Sequence, residues 1–453
     1  MMHEDRSPTI WWLRRDLRLA DNPALASAAS GEVIPLFVLD PALLGPAGSP
    51  RVAFLHGCIA DLTEATDGAL VVRTGDPTAV VARLAQETGA ARVVIAADAG
   101  PYSRQRDAAV ATRLEALDVP LERVSSPYAV APGQLHTAAG GPYRVFTPYH
   151  RAWSAFGWPA PIDVPLPLRW VQGIRSDGFR PVASELPTPP PPGERAAHRL
   201  LDGFLERITS YGEDRNRPDL DRTSRLSPFL RFGCLHPRQI LTLLGEGPGE
   251  TAFRRELCWR DFYADVLYHR PESARAALQP RMATIEIDTG PEADDRLLAW
   301  KLGLTGYPLV DAGMRQLRAE GWMHNRIRMV TASFMVKHLH LDWRLGAREF
   351  MLRLVDGDLA SNSHGWQWTA GTGTDPAPYH RVFNPTLQAQ RADPNGAYIR
   401  RYVPELRGLV APEVHQPWTI AGGPPGGYPT PLVDHVSARA EALRRYAAVR
   451  ATS

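Results

Sequence analysis

The stretch TIWWLRRDLRLADN, residues 9–22, joins a short apolar run to a polar, arginine-rich segment. It opens a series of five β-rich runs that alternate with helical segments such as RVAFLHGCIADLTEA. The other four runs are VIPLFVL (33–39), ALVVR (69–73), ARVVIAA (91–97) and VPLERV (119–124). This alternation predicts an α/β domain with a parallel sheet covered by helices. A ligand is expected beyond the carboxyl ends of the strands.

A proline-rich segment separates this alternating region from a helical one. Between residues 159 and 193 the sequence has little periodicity and includes TPPPPG, which is typical of a connection packed over the surface. We therefore divide the chain into an α/β domain at 1–135, a Pro-rich inter-domain connection at 136–195 and a helical domain at 196–453. Helical periodicity is found at 196–211, 250–270, 294–304, 308–341, 346–355 and 434–449.

The composition is that of an ordinary globular protein. Among 453 residues, 51 basic and 49 acidic side chains nearly balance, and no apolar run is long enough to span a membrane. The first residues, MMHEDRSPTI, lack a signal-peptide pattern, and Cys58, Cys234 and Cys258 form no CxxC pair. We expect a cytoplasmic protein with reduced thiols, no disulfide framework, no membrane contact and no metal site.

One predicted helix carries a carboxylate beside an aromatic ring. Glu256, Trp259, Arg260 and Tyr263 follow one another at spacings that place them on a single helical face. The alternative is a structural helix in which Glu256 pairs with Arg260. This segment alone leaves both interpretations open.

Two further segments are rich in polar groups. The stretch DGDLASNSHGWQW (356–368) combines two acids, an asparagine and two tryptophans, which favours a site over a surface turn with buried tryptophans. The stretch TSRLS (223–227) offers hydroxyls, amides and a guanidinium that suit a diphosphate, and a helix cap is an equally good interpretation. No phosphate loop of the form GxxxxGK[ST] is present, and the GTG in AGTGTD has no preceding strand.

In order, spacing and length, blocks along nearly the whole chain resemble the photolyase/cryptochrome family. Within it they resemble the bacterial class I cyclobutane pyrimidine dimer photolyases. The blocks are WWLRRDLRLADNPAL, TSRLSPFLRFGCLHPRQ, RELCWRDFY, WKLGLTGYPLVDAGMRQLRAEGWMHNRIRMVTASFMVKHLHLDWR, DGDLASNSHGWQWTAGTGTDPAPYHRVFNP and YIRRYVPEL. The resemblance implies an α/β, Rossmann-like antenna domain with a parallel sheet and an all-α C-terminal domain that holds a folded-over FAD.

The resemblance also implies which side chains contact FAD. The matching positions are Tyr211, Thr223, Ser224, Arg225, Leu226, Ser227, Asn325, Arg328, Asp356, Asp358 and Asn362. Arg328 would provide a cation for a reduced, anionic flavin, and Asp356 can pair with it. Asn362 would lie by flavin N5, where an amide can donate to an unprotonated nitrogen or accept from a protonated one.

On the substrate side, the resemblance implies a pocket for a flipped-out dimer. A cyclobutane dimer stacks poorly, so flipping it out of the duplex costs less than flipping a normal base. Glu256 would be a catalytic polar partner of the dimer, Trp259 and Trp368 its apolar walls, and Met329 an adaptable contact. The full set for substrate and DNA is Glu256, Trp259, Arg260, Asn325, Arg326, Met329, Trp368, Gln390 and Arg391.

The loops after the strands would hold an antenna pigment. The blocks SPRVAFL and ADAGPYSRQRD resemble those of relatives that bind 8-hydroxy-5-deazaflavin more than those that bind methenyltetrahydrofolate, which is the alternative. The candidate residues are Phe37, Leu39, Asp40, Arg51, Asp98 and Arg104. Some of them would merely cap helices if no pigment binds.

The family carries a chain of three tryptophans for electron transfer to the flavin, and one of them is missing here. Trp366 and Trp343 match the inner two positions. The outer one should lie about ten residues before Trp300, yet MATIEIDTGPEADDRLL (282–298) contains no aromatic residue. Trp300 or a tyrosine such as Tyr268 could replace it if the geometry allows.

Taken as a whole, the resemblance implies a monomeric enzyme that repairs cyclobutane pyrimidine dimers in DNA with light, by electron transfer from reduced FAD. The alternative is a cryptochrome-like photoreceptor that binds FAD without repair. A third hypothesis is a dark flavoprotein or a structural DNA-binding module.

Overall fold

The computed structural model describes residues 7–374 and 381–451; residues 375–380, which belong to one of the quoted blocks, lie outside the described part. The N-terminal region is a parallel sheet with the strand order β3-β2-β1-β4-β5, and β6 also pairs with β2. The strands are β1 (Thr9–Leu13), β2 (Glu32–Leu39), β3 (Val71–Thr74), β4 (Arg92–Ile95), β5 (Leu121–Arg123) and β6 (Arg169–Trp170). All five predicted strands, and their parallel arrangement, are confirmed.

Helices cover both faces of this sheet. They are α1 (Pro23–Ala28), α2 (Pro41–Leu44), α3 (Ser49–Ala65), α4 (Pro77–Thr88) and α5 (Pro101–Glu115). Successive residues of β1 point to opposite faces, so Trp11 and Trp12 enter different apolar clusters. Because both faces are buried, each strand is a nearly continuous apolar run, which is the pattern visible in the sequence.

The connection between the domains carries more regular structure than its proline content predicts. It contains α6 (Phe146–Phe156), which packs against the helical domain, and β6, which pairs with the first two residues of β2. The connection therefore belongs to both domains and holds them together.

The C-terminal region is helical, as predicted. Its helices are α7 (Glu194–Leu205), α8 (Tyr211–Asp214), α9 (Ser227–Phe232), α10 (Pro237–Leu243), α11 (Pro248–His269), α12 (Pro291–Leu302), α13 (Pro308–Glu320), α14 (Asn325–Lys337), α15 (Trp343–Arg353), α16 (Leu359–Ala370), α17 (Pro385–Ala392), α18 (Ala397–Tyr402) and α19 (His435–Ala451). The periodic stretch at 308–341 contains two helices, because Gly321 adopts a left-handed φ of 61° and ends α13. Helix α16 lies where the sequence showed no helical periodicity.

The two domains approach each other closely at glycines. A Cβ on Gly48 would lie 1.6 Å from the Leu352 carbonyl oxygen, and one on Gly233 would lie 1.9 Å from the Arg15 carbonyl oxygen. Only glycine permits these approaches of backbone to backbone. Across the described ranges, no helix is long and apolar enough to cross a membrane.

Candidate functional site

Helix α16 brings together the polar residues of the stretch at 356–368. Asp358 caps its N-terminus by accepting a hydrogen bond from the Ser361 amide at 3.0 Å. One turn later, Asn362 donates from Nδ2 to the Ala347 carbonyl oxygen of α15 at 2.9 Å. Trp366 is buried and Trp368 half-buried. The cap compensates for a sequence of weak helix formers.

The expected pairing of Arg328 with Asp356 is confirmed. The guanidinium donates to both carboxylate oxygens, at 2.7 and 3.2 Å, and its Nε donates to the Met323 carbonyl oxygen at 2.7 Å. Asp356 is buried, so the bidentate pair holds the cation in a fixed orientation. Such a pair can supply a positive charge to an anionic ligand while no buried charge is left unpaired.

Trp366 packs directly against α15. A Cβ on Gly346 would lie 2.1 Å from its ring, so glycine is required for this contact. Trp343 lies one turn before Gly346, and it belongs to the same buried cluster as Trp366. The Trp366 ring also meets Trp300, with 6.0 Å between the ring centroids. Trp366 thus has Trp300 in ring contact and Trp343 in the same cluster, while Tyr268 packs under Arg104 of the α/β domain.

The segment 223–227 fits a phosphate-bearing ligand in part. The Thr223 hydroxyl oxygen is buried without a hydrogen-bond partner, as expected of a group that meets a ligand. The Arg225 guanidinium, by contrast, pairs with Asp221 and Glu320, each at 2.8 Å, and lies over the Trp322 ring. The charge of Arg225 is therefore balanced by two carboxylates, and hydroxyls and amides remain the groups available to a diphosphate.

Trp322 contacts Arg225 and Ser227 of this segment. Its indole nitrogen donates to the Ser227 hydroxyl at 3.2 Å, while Ser224 accepts from the Leu226 amide at 3.4 Å. Tyr211 packs against Phe253 with 5.2 Å between the ring centroids, and burial raises the pKa of its hydroxyl. Tyr211 and Thr223 thus offer hydroxyl groups that stay protonated and can donate to a ligand.

Glu256 pairs with a residue that the sequence did not indicate. Its carboxylate lies 2.7 Å from a guanidinium nitrogen of Arg215, which directly follows α8. Burial raises the pKa of the Glu256 carboxyl, and the attraction of Arg215 opposes this shift. The structural alternative, an intrahelical pair with Arg260, is wrong. Arg260 instead donates to the carbonyl oxygens of Pro127 and Leu230, which face the domain interface.

Trp259 is supported from behind by Phe146 of the inter-domain connection. The two rings are nearly parallel, at 3°, with centroids 3.6 Å apart. This stack covers one face of the indole and leaves Trp259 partly exposed. A rigid aromatic ring with one face covered by Phe146 is a suitable wall for a flat ligand on its other side.

Several arginines lie close to Glu256. Arg326 donates to the Asn216 side-chain oxygen at 2.5 Å, and burial together with Arg215 and Arg381 lowers its pKa. Of the other predicted DNA contacts, Asn325 and Arg391 are exposed, whereas Met329, Gln390 and Trp368 are partly buried. Arg215 and Asn216, from the loop after α8, and Arg381, from the segment before α17, join the set only through the fold.

The candidate antenna residues have structural partners. Asp40 caps α2 by accepting from the Ala42 amide at 2.9 Å, and it also accepts from the Tyr102 hydroxyl. Phe37 and Leu39 are buried in the sheet core. Arg51 and Arg104 reach the helical domain, whereas Asp98 contacts Arg15 within the α/β domain. Arg51 donates to the Met351 carbonyl oxygen at 2.5 Å, Arg104 donates to that of Tyr268 at 3.2 Å, and Asp98 lies 3.6 Å from Arg15.

Two family models match the sequence of this chain, one in the α/β region and one in the helical region. One, described as DNA photolyase, matches residues 9–167, and the other, described as FAD binding domain of DNA photolyase, matches residues 253–448. The chain belongs to the DNA photolyase/cryptochrome family.

Curated relatives refine this assignment. A protein of Streptomyces griseus is 42% identical, with 94% of this chain and 96% of the relative covered. One of Agrobacterium fabrum is 38% identical, with 99% of both chains covered. Each of these relatives is called deoxyribodipyrimidine photo-lyase.

Solved structures share the whole architecture. A bacterial class III photolyase from Agrobacterium tumefaciens is 36% identical, with a TM-score of 0.90 and 98% of both chains covered. An archaeal photolyase from Sulfolobus tokodaii, described with two FAD molecules, is 28% identical at a TM-score of 0.84, covering 97% of this chain and all of that one. A cryptochrome from Synechocystis is 26% identical, with a TM-score of 0.87. The match covers 98% of this chain and all of that one.

Proposed function

We propose that this protein is a monomeric, cytoplasmic photolyase that uses light and reduced FAD to split cyclobutane pyrimidine dimers in DNA. The observation that carries the proposal is the juxtaposition of an aromatic wall, Trp259 on Phe146, with the carboxylate of Glu256 one turn away on α11. The relatives called deoxyribodipyrimidine photo-lyase support it over nearly the whole chain.

The chain's own residues would bind and orient the flavin and the DNA. Bound FAD, reduced and excited by light, would supply the electron that opens the cyclobutane ring. The Arg328–Asp356 pair would hold a fixed positive charge at the flavin, and Asn362 would present its amide there. Glu256 would hydrogen-bond the pyrimidine edge, where charge develops after excitation. Arg326 and its cationic neighbours would bind backbone phosphates.

The proposal is tested by illuminating the purified, FAD-loaded protein with DNA that contains dimers. We expect the number of dimers to fall in the light and to stay constant in a dark control with the same protein. Equal dimer content in both samples, with DNA binding and FAD loading verified, would refute the repair activity.

Trp259 should determine the preference for damaged DNA. Replacing Trp259 by alanine should weaken the preference for a dimer over intact DNA by about 5- to 150-fold, since one stacking contact contributes about 1–3 kcal/mol. Trp170→Ala is the control, because Trp170 stacks on Trp11 in the α/β domain. Competition binding gives both affinities, and an unchanged ratio in Trp259→Ala would remove this ring from the dimer pocket. For both variants, affinity should decrease with salt.

The antenna type and the class I assignment are further parts of the proposal. We propose 8-hydroxy-5-deazaflavin as the pigment, with Asp98 among its contacts. Methenyltetrahydrofolate is the alternative, and a second FAD is the pigment that the archaeal neighbour's description suggests for that protein. The class III neighbour makes class III the competing assignment.

Expression in a deazaflavin-producing host should reveal the pigment as a second absorbing species. Asp98→Ala should lose this species and keep FAD, because the Arg15–Asp358 contact remains in place. Asp76→Ala is the matched control, since Asp76 follows β3, the preceding strand along the chain, and caps α4. Co-purification of folate, or loss of FAD together with the pigment, would contradict the assignment.

The second candidate function is a photoreceptor without repair activity. The Synechocystis cryptochrome, with a TM-score of 0.87, shows that this architecture also occurs in a protein called a cryptochrome. The two candidates differ in one result, because the photoreceptor would bind FAD and respond to light without lowering the dimer content of DNA.

A further inference from the structure

A single guanidinium connects the two domains next to α16. Arg15, which follows β1, donates from Nη2 to the Asp358 carboxylate at 2.8 Å, and its Nη1 lies 3.6 Å from the Asp98 carboxylate. Asp98 follows β4 in the α/β domain, whereas Asp358 belongs to the helical domain. The three charged side chains are 16%, 7% and 13% exposed for Arg15, Asp98 and Asp358, so water screens their interaction weakly.

The two oxygens of Asp358 have different partners. Oδ1 accepts from the Ser361 amide and so caps α16, while Oδ2 is held by Arg15. Burial alone would raise the pKa of Asp358, but Arg15 and then Arg231 outweigh it and hold that pKa at about 2. The carboxylate is therefore charged at neutral pH, and Arg15 fixes the orientation in which it caps the helix.

Arg15 cannot easily follow a displaced partner, because its own position is fixed. Its carbonyl oxygen is pressed against Gly233, and its Nε donates to the Arg231 carbonyl oxygen at 3.3 Å. Its Nη1 also donates to the Tyr128 hydroxyl at 3.3 Å. Gly233 and Arg231 belong to the end of α9 in the helical domain, whereas Tyr128 belongs to the α/β domain, so the guanidinium is held from both sides of the interface.

We propose that Arg15 is a positioning residue for the flavin site: from the α/β domain it aims the capping carboxylate of Asp358 and so sets the N-terminal turn of α16. That turn leads directly into Asn362, and Trp366 follows one turn later. The inference rests on the proposed function, in which Asn362 contacts the flavin. The inference adds that Arg15 serves both the loop that bears Asp98 and helix α16.

Backbone amide exchange at residues 359–363 tests this in the purified, FAD-loaded protein. In Arg15→Gln we expect exchange there to be about tenfold faster or more, because the cap loses its orienting charge. Arg195→Gln is the matched control: Arg195 of α7 also bridges the domains, through Asp61 of α3, but it does not contact α16. Exchange at 359–363 should be unchanged in this control. Arg15→Lys should restore part of the protection, since its ammonium reaches fewer partners.

Two flavin measurements complete the test. In Arg15→Gln the midpoint potential of FAD should fall, because the Asp358 carboxylate, a proposed flavin contact, loses the cation that balances its charge, and kcat for repair should decrease roughly threefold to tenfold. The KM for damaged DNA should stay within about twofold, since no DNA contact is altered. If Arg15→Gln does not fold, Asp358→Asn replaces it, because asparagine keeps a capping oxygen but loses the charge.

Native exchange at 359–363 in Arg15→Gln or Asp358→Asn would overturn the proposal. Equally fast exchange in Arg195→Gln would also overturn it, because the effect would then be a general loosening of the interface. The proposed function fails by a different result, namely the absence of light-dependent dimer loss in the native protein.

Discussion

Glu256→Gln should slow light-driven repair by about 10- to 100-fold, while the affinity for dimer-containing DNA changes little. A hydrogen bond to a charged group contributes about 1.5–3 kcal/mol, and each 1.4 kcal/mol is a tenfold change in rate. The carboxylate acts on charge that develops only after excitation, so its loss affects the ring-opening step more than binding. The yield of dimers repaired per absorbed photon and the Kd separate the two effects.

Arg215 makes the choice of control important, because removing Glu256 also leaves that guanidinium without its partner. Glu246→Gln removes a comparable carboxylate next to α11, since Glu246 pairs with Arg254 at 3.2 Å on the surface. We expect this control to repair as the native protein does. A native repair yield in Glu256→Gln would reduce Glu256 to a structural residue of α11.

Trp343→Phe should strongly suppress photoreduction of oxidised FAD, by about tenfold or more. Gly346 lets the Trp366 ring lie against α15, and Trp343 lies one turn earlier on the same helix and in the same buried cluster. Trp343 keeps 8% exposure, whereas Trp300 is fully buried, so a positive charge on Trp343 is better stabilised by water. When FAD is reduced chemically beforehand, Trp343→Phe should repair dimers at the native rate.

Trp300→Phe is the matched variant, because Trp300 also meets the Trp366 ring but lies away from solvent. We expect its photoreduction to remain close to native. Transient absorption distinguishes the two routes. A long-lived tryptophanyl or tyrosyl radical that persists in Trp343→Phe and vanishes in Trp300→Phe would place the route through Trp300 instead.

The α/β domain could be predicted from the sequence because its strands are buried on both faces of the sheet. Each strand appears as an apolar run, such as TIWWL, and the polar loops between runs mark the helix starts. Helix α16 could not be predicted from a pattern of this kind. Its serines, asparagine and glycine are weak helix formers, and the helix depends on the Asp358 cap and on contacts with α15.

The candidate site was predicted in its principal residues but not in their partners. The pairing of Arg328 with Asp356 followed from the resemblance and from charge balance. Arg215 and Phe146, by contrast, come from segments with no pattern of their own, and they reach Glu256 and Trp259 only when the chain folds. Arg15 and Asp358 are 343 residues apart, so no local pattern in one sequence could pair them.

The central claim is that light acts on this protein to split dimers, and a single-flash experiment tests it most directly. Protein with chemically reduced FAD is saturated with dimer-containing DNA, given one short flash, and analysed for the dimers remaining. We expect each flash to remove a fixed fraction of dimers, with an action spectrum that follows the absorption of the bound pigments, and no loss in the dark. Unchanged dimer content after many flashes, although FAD is reduced and DNA is bound, would contradict the account and favour the photoreceptor.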